Sequence, residues 1–568
     1  MKLDFRSCQL ICYTFLCMEN GDKQAPKGSA FARGGTDEEK VTRFVAGGVV
    51  SIAALLAGGI FTILWVVTTT RILGPKDYGI YGPIVGLFWS ACAFFSLGVP
   101  QTITTFVSHH FEKDPEMSRR FASDGVKMLM LLGLALIVLV GLGGGLLFLL
   151  GRVSGFFYAI GVILAAGIFV TFLFWGINSI LNGYQRLDYV AIGNMVAPVG
   201  MSLGALAFMV AAQALFGRES RLDVVGATMG FFVGHLLGFA AASHMLRRVG
   251  AISLKEIFGF GNYHGLFKEI LKFGGVSAVA LVAMNVLINY NTPLVGLVIK
   301  DEEQVGYFGA AILYASVMML IMGFSFALIP AISEAEGQGR KDLMQKYYNL
   351  ALKYSFGLLL SLFTFYAVMA GRAVWLISGP EFPPPVLGPM VVALSLGTIC
   401  MSMIFLMTFV FIGLKRPAIP AVVNVAVLVL QAAGIVLFCA ASRNVMSAAW
   451  GILAASGLGV VALFYLAWRR FGLAFPSWAV AIPGAASLPT WAIGHYLLPK
   501  EGPLMGVTIA LCFIMHGVFF MLFGGYDSED FAMFRETVGS MRMGFVKSVI
   551  NGMEKLARFS PAFEWYKR

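Results

Sequence analysis

The sequence predicts an all-α, polytopic integral membrane protein: about fourteen transmembrane helices, arranged as two six-helix bundles with two further helices after them. Composition is the first reason. Of 568 residues, 58% are hydrophobic and 12% charged, where an ordinary soluble domain carries about 25% charged residues. So few charges cannot cover a water-soluble surface of this size. The second reason is a series of apolar windows of spanning length, and the third is an internal repeat.

Taken in order, residues 1–45 read as a disordered cytoplasmic tail. The opening "MKLDFRSCQLICYTFLCM" offers about a dozen apolar residues, too few to span, and no small-residue cleavage site follows. Met18 begins a polar stretch and is a candidate natural start. A ruler of about 20 apolar residues per span then finds windows at 46–70, 81–108, 125–150, 155–180, 189–213 and 224–246, the first bundle (46–250). After a cytoplasmic linker (251–272) come 273–298, 306–333, 349–370, 386–412, 418–440 and 446–470, the second bundle (273–470). Windows at 478–497 and 503–523 make the last pair (478–523). The tail, 524–568, holds a stretch at 531–559 that mixes Phe, Met, Val and Leu with Arg and Lys as an interfacial helix would.

An even number of spans puts both termini on one side, and the cationic residues say which. With both termini cytoplasmic, the cytoplasmic segments hold 32 Lys and Arg and the outward loops 9, which accounts for all 41 when Lys127, Lys353, Arg469 and Arg470, at the cytoplasmic ends of their windows, are counted with the adjoining loops. The expected location is therefore the cell membrane, multi-pass, with "RILGPKDYG" (71–79) outside. Topology and anionic lipid headgroups explain the net charge of +11, and no nucleic-acid partner is needed. Cys8, Cys12, Cys17, Cys92, Cys400, Cys439 and Cys512 form no CxxC pair and read as small apolar residues. No metal, cofactor or catalytic motif is expected, since GxSxG, HExxH, Walker A and DxD arrangements are all missing. The glycine-rich "GLGGGLLF" (141–148) falls in a span, where small residues serve packing.

The repeat appears when the first two windows are laid on the seventh and eighth. "FVAGGVVSIAALL" (44–56) matches "LKFGGVSAVALV" (271–282), and "KDYGIYGPIVGLFWS" (76–90) matches "EQVGYFGAAILYASV" (303–317). One offset, 227 residues, carries Gly79 onto Gly306 and Tyr81 onto Phe308. Six helices separate the copies, so the two bundles are parallel repeats, the architecture of an alternating-access transporter. Within the spans, neutral amides outnumber charges. Asn285 and Asn289 share a face at i, i+4, Asn291 follows, and Pro293 is expected to break the helix just beyond. Asn178 and Asn182 repeat the spacing in the fourth window. These amides suit either a hydroxyl-rich cargo or interhelical hydrogen bonds. The lone His235, His495 and His516 read as packing residues.

"RILGPKDYGIYG" (71–82), "SLGVPQTITTFVS" (96–108), "LNGYQRLDYVAIGN" (181–194) and "VGYFGAAILYASVMMLIMGFSFALIPAISE" (305–334) resemble the polysaccharide biosynthesis flippases of the superfamily that also holds the MATE exporters and lipid II flippases. From the ninth span on, the agreement is in topology only. The resemblance implies translocation of lipid-linked oligosaccharide from the inner to the outer leaflet, with membrane lipids and glycan polymerase or transferase proteins as further partners. Carried over, the turn signature falls on Arg71, Gly74, Pro75, Tyr78 and Gly79, the next on Gly183 and Arg186, and the second-half signature on Gly296, Gly306 and Tyr307. Asn291 stands where many relatives have an acid, which weakens any ion coupling there. Candidate substrate-path residues are Arg71, Asn178, Asn182, Arg186, Asn285, Asn289 and Asn291, with Arg71, Arg186 and Arg218 placed to meet a diphosphate by bidentate contact or lipid phosphate by snorkelling. The alternatives are a MATE-like exporter of small organic molecules and a non-transporting component of a glycan assembly complex.

Overall fold

Helix termini are where this chain declares its order. Asp114 caps the helix that begins at Pro115, accepting from Met117 N at 3.0 Å, and Asp301 Oδ1 accepts from Glu303 N and Gln304 N at 3.0 and 3.2 Å, each satisfying donors that a helix start leaves open. The computed structural model describes residues 37–110, 114–184, 186–217, 221–250, 252–259, 265–498, 505–539 and 544–560. Among them every regular element is a helix. Phe44–Arg568 forms a contact unit distinct from Met1–Arg43. The start at Met18 and most of the tail 1–45 lie outside the described residues, but helix is already present from Asp37.

In chain order the helices are α1 (Asp37–Phe95, interrupted at Gly74), α2 (Val99–His110), α3 (Pro115–Leu149), α4 (Gly155–Gly183), α5 (Leu187–Phe216), α6 (Leu222–Val249) and the short α7 (Leu254–Phe258). Then follow α8 (Phe267–Asn289), α9 (Asn291–Val298), α10 (Glu302–Ala315), α11 (Met322–Gly337), α12 (Lys341–Ser378), α13 (Pro384–Gly413), α14 (Ala418–Ser442), α15 (Met446–Phe471), α16 (Trp478–Tyr496), α17 (Met505–Leu522), α18 (Ser528–Gly539) and α19 (Gly544–Ala557).

Nine helices among the described residues are long and apolar enough to cross a membrane, or ten if the bent pair α8–α9 is one span. The expected count of fourteen meets breaks inside several windows. The window 81–108 is divided at Leu97 and Gly98 (φ 50° and 69°), and 306–333 by a 3-10 turn at Ser316–Ile321. In 273–298 the break comes at Tyr290, ahead of Pro293, because proline offers Asn289 no donor and its ring crowds that carbonyl; the two pieces meet at 50°.

The same neighbours recur in both halves of the chain. In the first, α5 packs on α6, α4 on α6, α3 on α4 and α2 on α4; in the second, α14 packs on α15, α13 on α15, α12 on α13 and α11 on α13. Helix α8 crosses between the halves, touching α14 on one side and α2 and α3 on the other.

Two of the cations counted with the loops are buried within helices. Lys127 is buried in α3, where its Nζ donates to Ser123 Oγ at 2.8 Å. Lys353 is buried in α12 and pairs with Asp530 and, at 3.0 Å, with Asp527. Tyr354 OH donates to Asp530 at 2.5 Å, and Asp527 Oδ1 caps α18 through Glu529 N and Asp530 N. This charge cluster anchors the C-terminal segment. In place of one interfacial helix there are two, α18 and α19, joined by Arg535 of α18 on Glu554 of α19, which also pairs with Arg558 four residues on. Their apolar side, with Phe531, Ile550 and Ala557, packs against Met521 of α17. Lys353→Met leaves the buried Asp530 and the partly buried Asp527 without a counter-charge, a loss of about 3–5 kcal/mol. The expected outcome is release of α18–α19, read as at least tenfold faster trypsin cleavage at Arg535 and Arg558 in the purified protein; unchanged cleavage rates would refute the anchor.

Candidate functional site

Residue 74 must turn the chain through a conformation that side chains resist, with φ 67° and ψ 176°, so glycine stands there. A Cβ on Gly74 would also lie 2.6 Å from Glu381 Oε2. Just before this break, Arg71 reaches the second half of the chain. Its Nε donates to Ile377 O at 2.9 Å and a second nitrogen to Leu376 O. These carbonyls belong to the last turn of α12, where orphan acceptors and the negative end of the helix dipole favour a cation. Arg71 is thus seated on a helix end, with these two donor nitrogens engaged.

Beyond the turn, the second arm of α1 crosses α10 with almost no separation. A Cβ on Gly79 would stand 1.7 Å from Glu302 O, and a Cβ on Gly306 would stand 1.8 Å from Pro75 O. The contact is reciprocal under the repeat: Pro75 corresponds to Glu302 just as Gly79 corresponds to Gly306. One turn along, a Cβ on Gly309 would be 3.7 Å from Gly82 Cα. Small residues let membrane helices approach in this way, and here they bring two copies of one motif backbone to backbone. Tyr78 and Tyr307 flank the crossing and meet the same ring, Phe382, edge-on at 6.3 and 6.0 Å. Below it, Gly86 faces the carbonyl that Pro293 frees: its Cβ would lie 2.4 Å from Asn289 O. Gly296 completes the contact, 3.3 Å from Pro83 Cγ by the same measure.

Charges edge this seam. Arg221, at the start of α6, pairs with Glu302 across it through bonds of 3.0 and 3.3 Å. Desolvation lifts the Asp77 carboxyl above its ordinary range; Arg221 pulls against that shift, while Asp223 and Glu302 add to it.

The amides are distributed differently from the seam. Asn178 Nδ2 donates to Asn194 Oδ1 at 3.0 Å and ties α4 to α5. Asn182 sits half-buried in the last turn of α4. Arg186 lies over the Tyr189 ring at 3.9 Å, near Gly183, whose Cβ would strike Val107 at 2.6 Å. Asn285 and Asn289 each donate to the carbonyl four residues back, at 2.9 and 2.8 Å. Asn291 is fully buried; it donates to Leu287 O and Ile288 O and accepts from Gln431 Nε2 at 2.6 Å. Arg218 lies outside the described residues.

Gln431 and Asn424 went unread in the sequence, yet they seal α14 to α8: Asn424 Nδ2 donates to Ala280 O at 3.0 Å, and Tyr290 OH donates to Leu428 O at 3.0 Å between them. Their signal was available, as i and i+7 amides in an otherwise apolar window. Arg221, Glu302 and Glu381 were missed because nothing local marks a cross-chain partner. No group of three or more metal-ligating side chains exists among the described residues. Gln431→Leu leaves Asn291 Oδ1 buried without its donor, so thermal unfolding in detergent is expected to show a loss of about 1–3 kcal/mol. Stability equal to the parent would remove Gln431 from this role.

With that geometry in place, comparison with known proteins is informative. None of the curated proteins compared matches the chain in sequence. Among solved structures, the lipid II flippase MurJ in an inward closed conformation aligns with a TM-score of 0.60 at 16% identity, over 83% of this chain and 98% of its own. An inward-facing multidrug resistance MATE family transporter of the MOP superfamily aligns at 0.58 and 16%, over 74% and 98%. A MOP superfamily transporter from Pyrococcus furiosus gives 0.56 and 16%, over 80% and 99%. Residues 44–336 match the family described as polysaccharide biosynthesis protein. That match takes in just over half of the chain, both glycine motifs included, so the chain belongs to the polysaccharide biosynthesis protein family and carries the fold of the MATE transporters and MurJ.

Proposed function

We propose that this protein is a flippase that turns lipid-linked oligosaccharide from the cytoplasmic to the outer leaflet of the cell membrane, by alternating access between two lobes, 46–250 and 273–470. The observation that carries the reading is the reciprocal contact of Gly79 with Glu302 O and Gly306 with Pro75 O. Two copies of one motif meet at a single end of the bundle, on the side where the cationic residues are sparse and which we take as outward. In this reading the seam is the outer gate in its closed state, and both termini are cytoplasmic. The recurrence of the same four neighbour pairs in each half supports lobes that move as units around such a gate.

The physical task fits a two-lobed carrier. Taking an unpaired hydroxyl into hydrocarbon costs several kcal/mol, about 4–8 on a scale where nothing can hydrogen-bond. A glycan therefore needs a polar route between the lobes while its lipid tail stays in the bilayer. Family membership supports a saccharide cargo over a small organic cation. So does the position of the carboxylates: in the nine long helices they lie within the first few turns, except Asp77 in Thr62–Phe95, which follows the break at Gly74. The fold itself does not separate the two readings, because MATE transporters and MurJ resemble the chain about equally.

The test is lipid-linked oligosaccharide and surface glycan analysis in a deletion strain restored with the parent gene, with Gly306→Leu, or with Asn289→Ala and Asn291→Ala together. The parent is expected to clear the inner-leaflet precursor and restore surface glycan. Gly306→Leu places a side chain where 1.8 Å is available, so precursor is expected to accumulate about tenfold or more while the protein still reaches the membrane. Normal glycan in the deletion strain, with altered sensitivity to cationic drugs, would replace the flippase reading with the exporter.

A further inference from the structure

Arg221 begins α6 in a left-handed conformation, φ 53° and ψ 3°. That is an uncommon state for a long side chain with no glycine freedom. From there its guanidinium crosses to Glu302 with two bonds, and both groups are partly exposed, 46% and 37%. Two residues further on, Asp223 is 4% exposed in the first turn of α6. One of its oxygens accepts from Gln213 Nε2 at 2.7 Å, but the other, Oδ1, is buried with no hydrogen-bond partner among the described residues. A buried carboxylate oxygen without a donor is costly. Asp77, in the Gly74 turn of the same half, also lies within electrostatic reach of Arg221. The cation therefore has one partner across the seam and two carboxylates on its own side, one of them with an unbonded buried oxygen among the described residues.

We infer that Arg221 is an exchangeable latch: it bonds Glu302 while the seam is closed and passes to Asp77 and Asp223 of its own half when the two helices part. The inference rests on reading the seam as a gate. The exchange keeps the guanidinium paired in both states, so opening need not strip a charge of its partner. It also lets the left-handed residue relax, since the pull toward Glu302 ends. Among the described residues, Arg221 bonds Glu302 of α10, Asp77 is within electrostatic reach of Arg221, Asp223, Glu302 and Lys76, and Asp223 is bonded by Gln213 of α5.

The test measures distances between spin labels carried by p-acetylphenylalanine at positions 76 and 300, two exposed lysines on opposite sides of the seam, in the full chain reconstituted in nanodiscs. Glu302→Gln is expected to raise the long-distance population about two- to fivefold, the worth of an exposed ion pair. Asp77→Asn with Asp223→Asn is expected to lower it by a similar factor, and the Arg221→Glu, Glu302→Arg swap to restore the parent ratio. A shift from Glu302→Gln alone would make Arg221 a static brace and overturn the exchange, as would two unchanged distributions or two shifts in one direction. Gly306→Leu is the separate control. If it widens the distribution while the charge variants do not, the exchange fails and the gate stands; if it too leaves the parent distribution, the gate reading itself fails.

Discussion

A carbonyl oxygen 1.7 Å from where a Cβ would stand admits only hydrogen at residue 79, and the same holds at residue 306 at 1.8 Å. Much else follows from that exclusion. Two backbones that close need their polar groups finished before they meet, so the turn at Gly74 and the Asp301 cap come first in the chain on each side. The rings of Tyr78, Tyr307 and Phe382 then fill the space beside a crossing that has no side chains of its own. Arg71 and Glu381 add the third partner, the end of α12. The density of special residues between Arg71 and Gly82 is what a backbone-to-backbone contact demands of one short connector.

Away from the seam the governing constraint is the accounting of polar groups where no water is available. The amides satisfy it within the protein. Asn285, Asn289 and Asn291 return to the carbonyls of the turn below, and Asn291 Oδ1 also accepts a hydrogen bond from Gln431 Nε2. Lys353 is satisfied by two carboxylates brought back from the C-terminal segment, more than 170 residues later. A single unpartnered cation there would be far more expensive than the ordering of a tail that supplies its counter-charge. His235 follows the same economy: its Nδ1 is bonded to Phe231 O at 2.8 Å, among the rings of Phe88, Trp89 and Phe174.

What could be read from the sequence follows from how local each cause is. The all-helical membrane class rests on composition and window length, which are sums over many residues. The pairing of Gly79 with Gly306 could be located by the offset because repetition is itself a sequence property, but that the two copies touch could not. Asn178 was read as either a cargo-facing or an interhelical hydrogen-bonding residue, and its partner, Asn194, was out of view; the same gap hid Gln431 from Asn291 and Glu302 from Arg221. Lys127 and Lys353 fall near the ends of their windows and were counted with the adjoining loops; hydropathy, which averages over a helix, does not report that such a residue is buried. The break in α8 came at Tyr290 and not after Pro293, for the mechanical reason that proline disturbs the carbonyl behind it.

The two copies of the motif agree where backbone contact requires it and differ elsewhere, and the differences have a direction. Gly82 is kept as Gly309, while Tyr81 becomes Phe308, which discards the hydroxyl that lies 3.4 Å from Ala227 O. Pro75 becomes Glu302, so the first copy offers a rigid ring to the crossing and the second offers a carboxylate. That carboxylate draws Arg221 across the seam, and no cation of the second half is bonded in return at Pro75, which has no side-chain acceptor. The crossing is thus symmetric in its backbone and asymmetric in its charges. A symmetric contact sets how closely the two helices pack; an asymmetric charge decides which half carries the movable partner. Repetition of one helix pair supplies the first property, and the difference between Pro75 and Glu302 supplies the second.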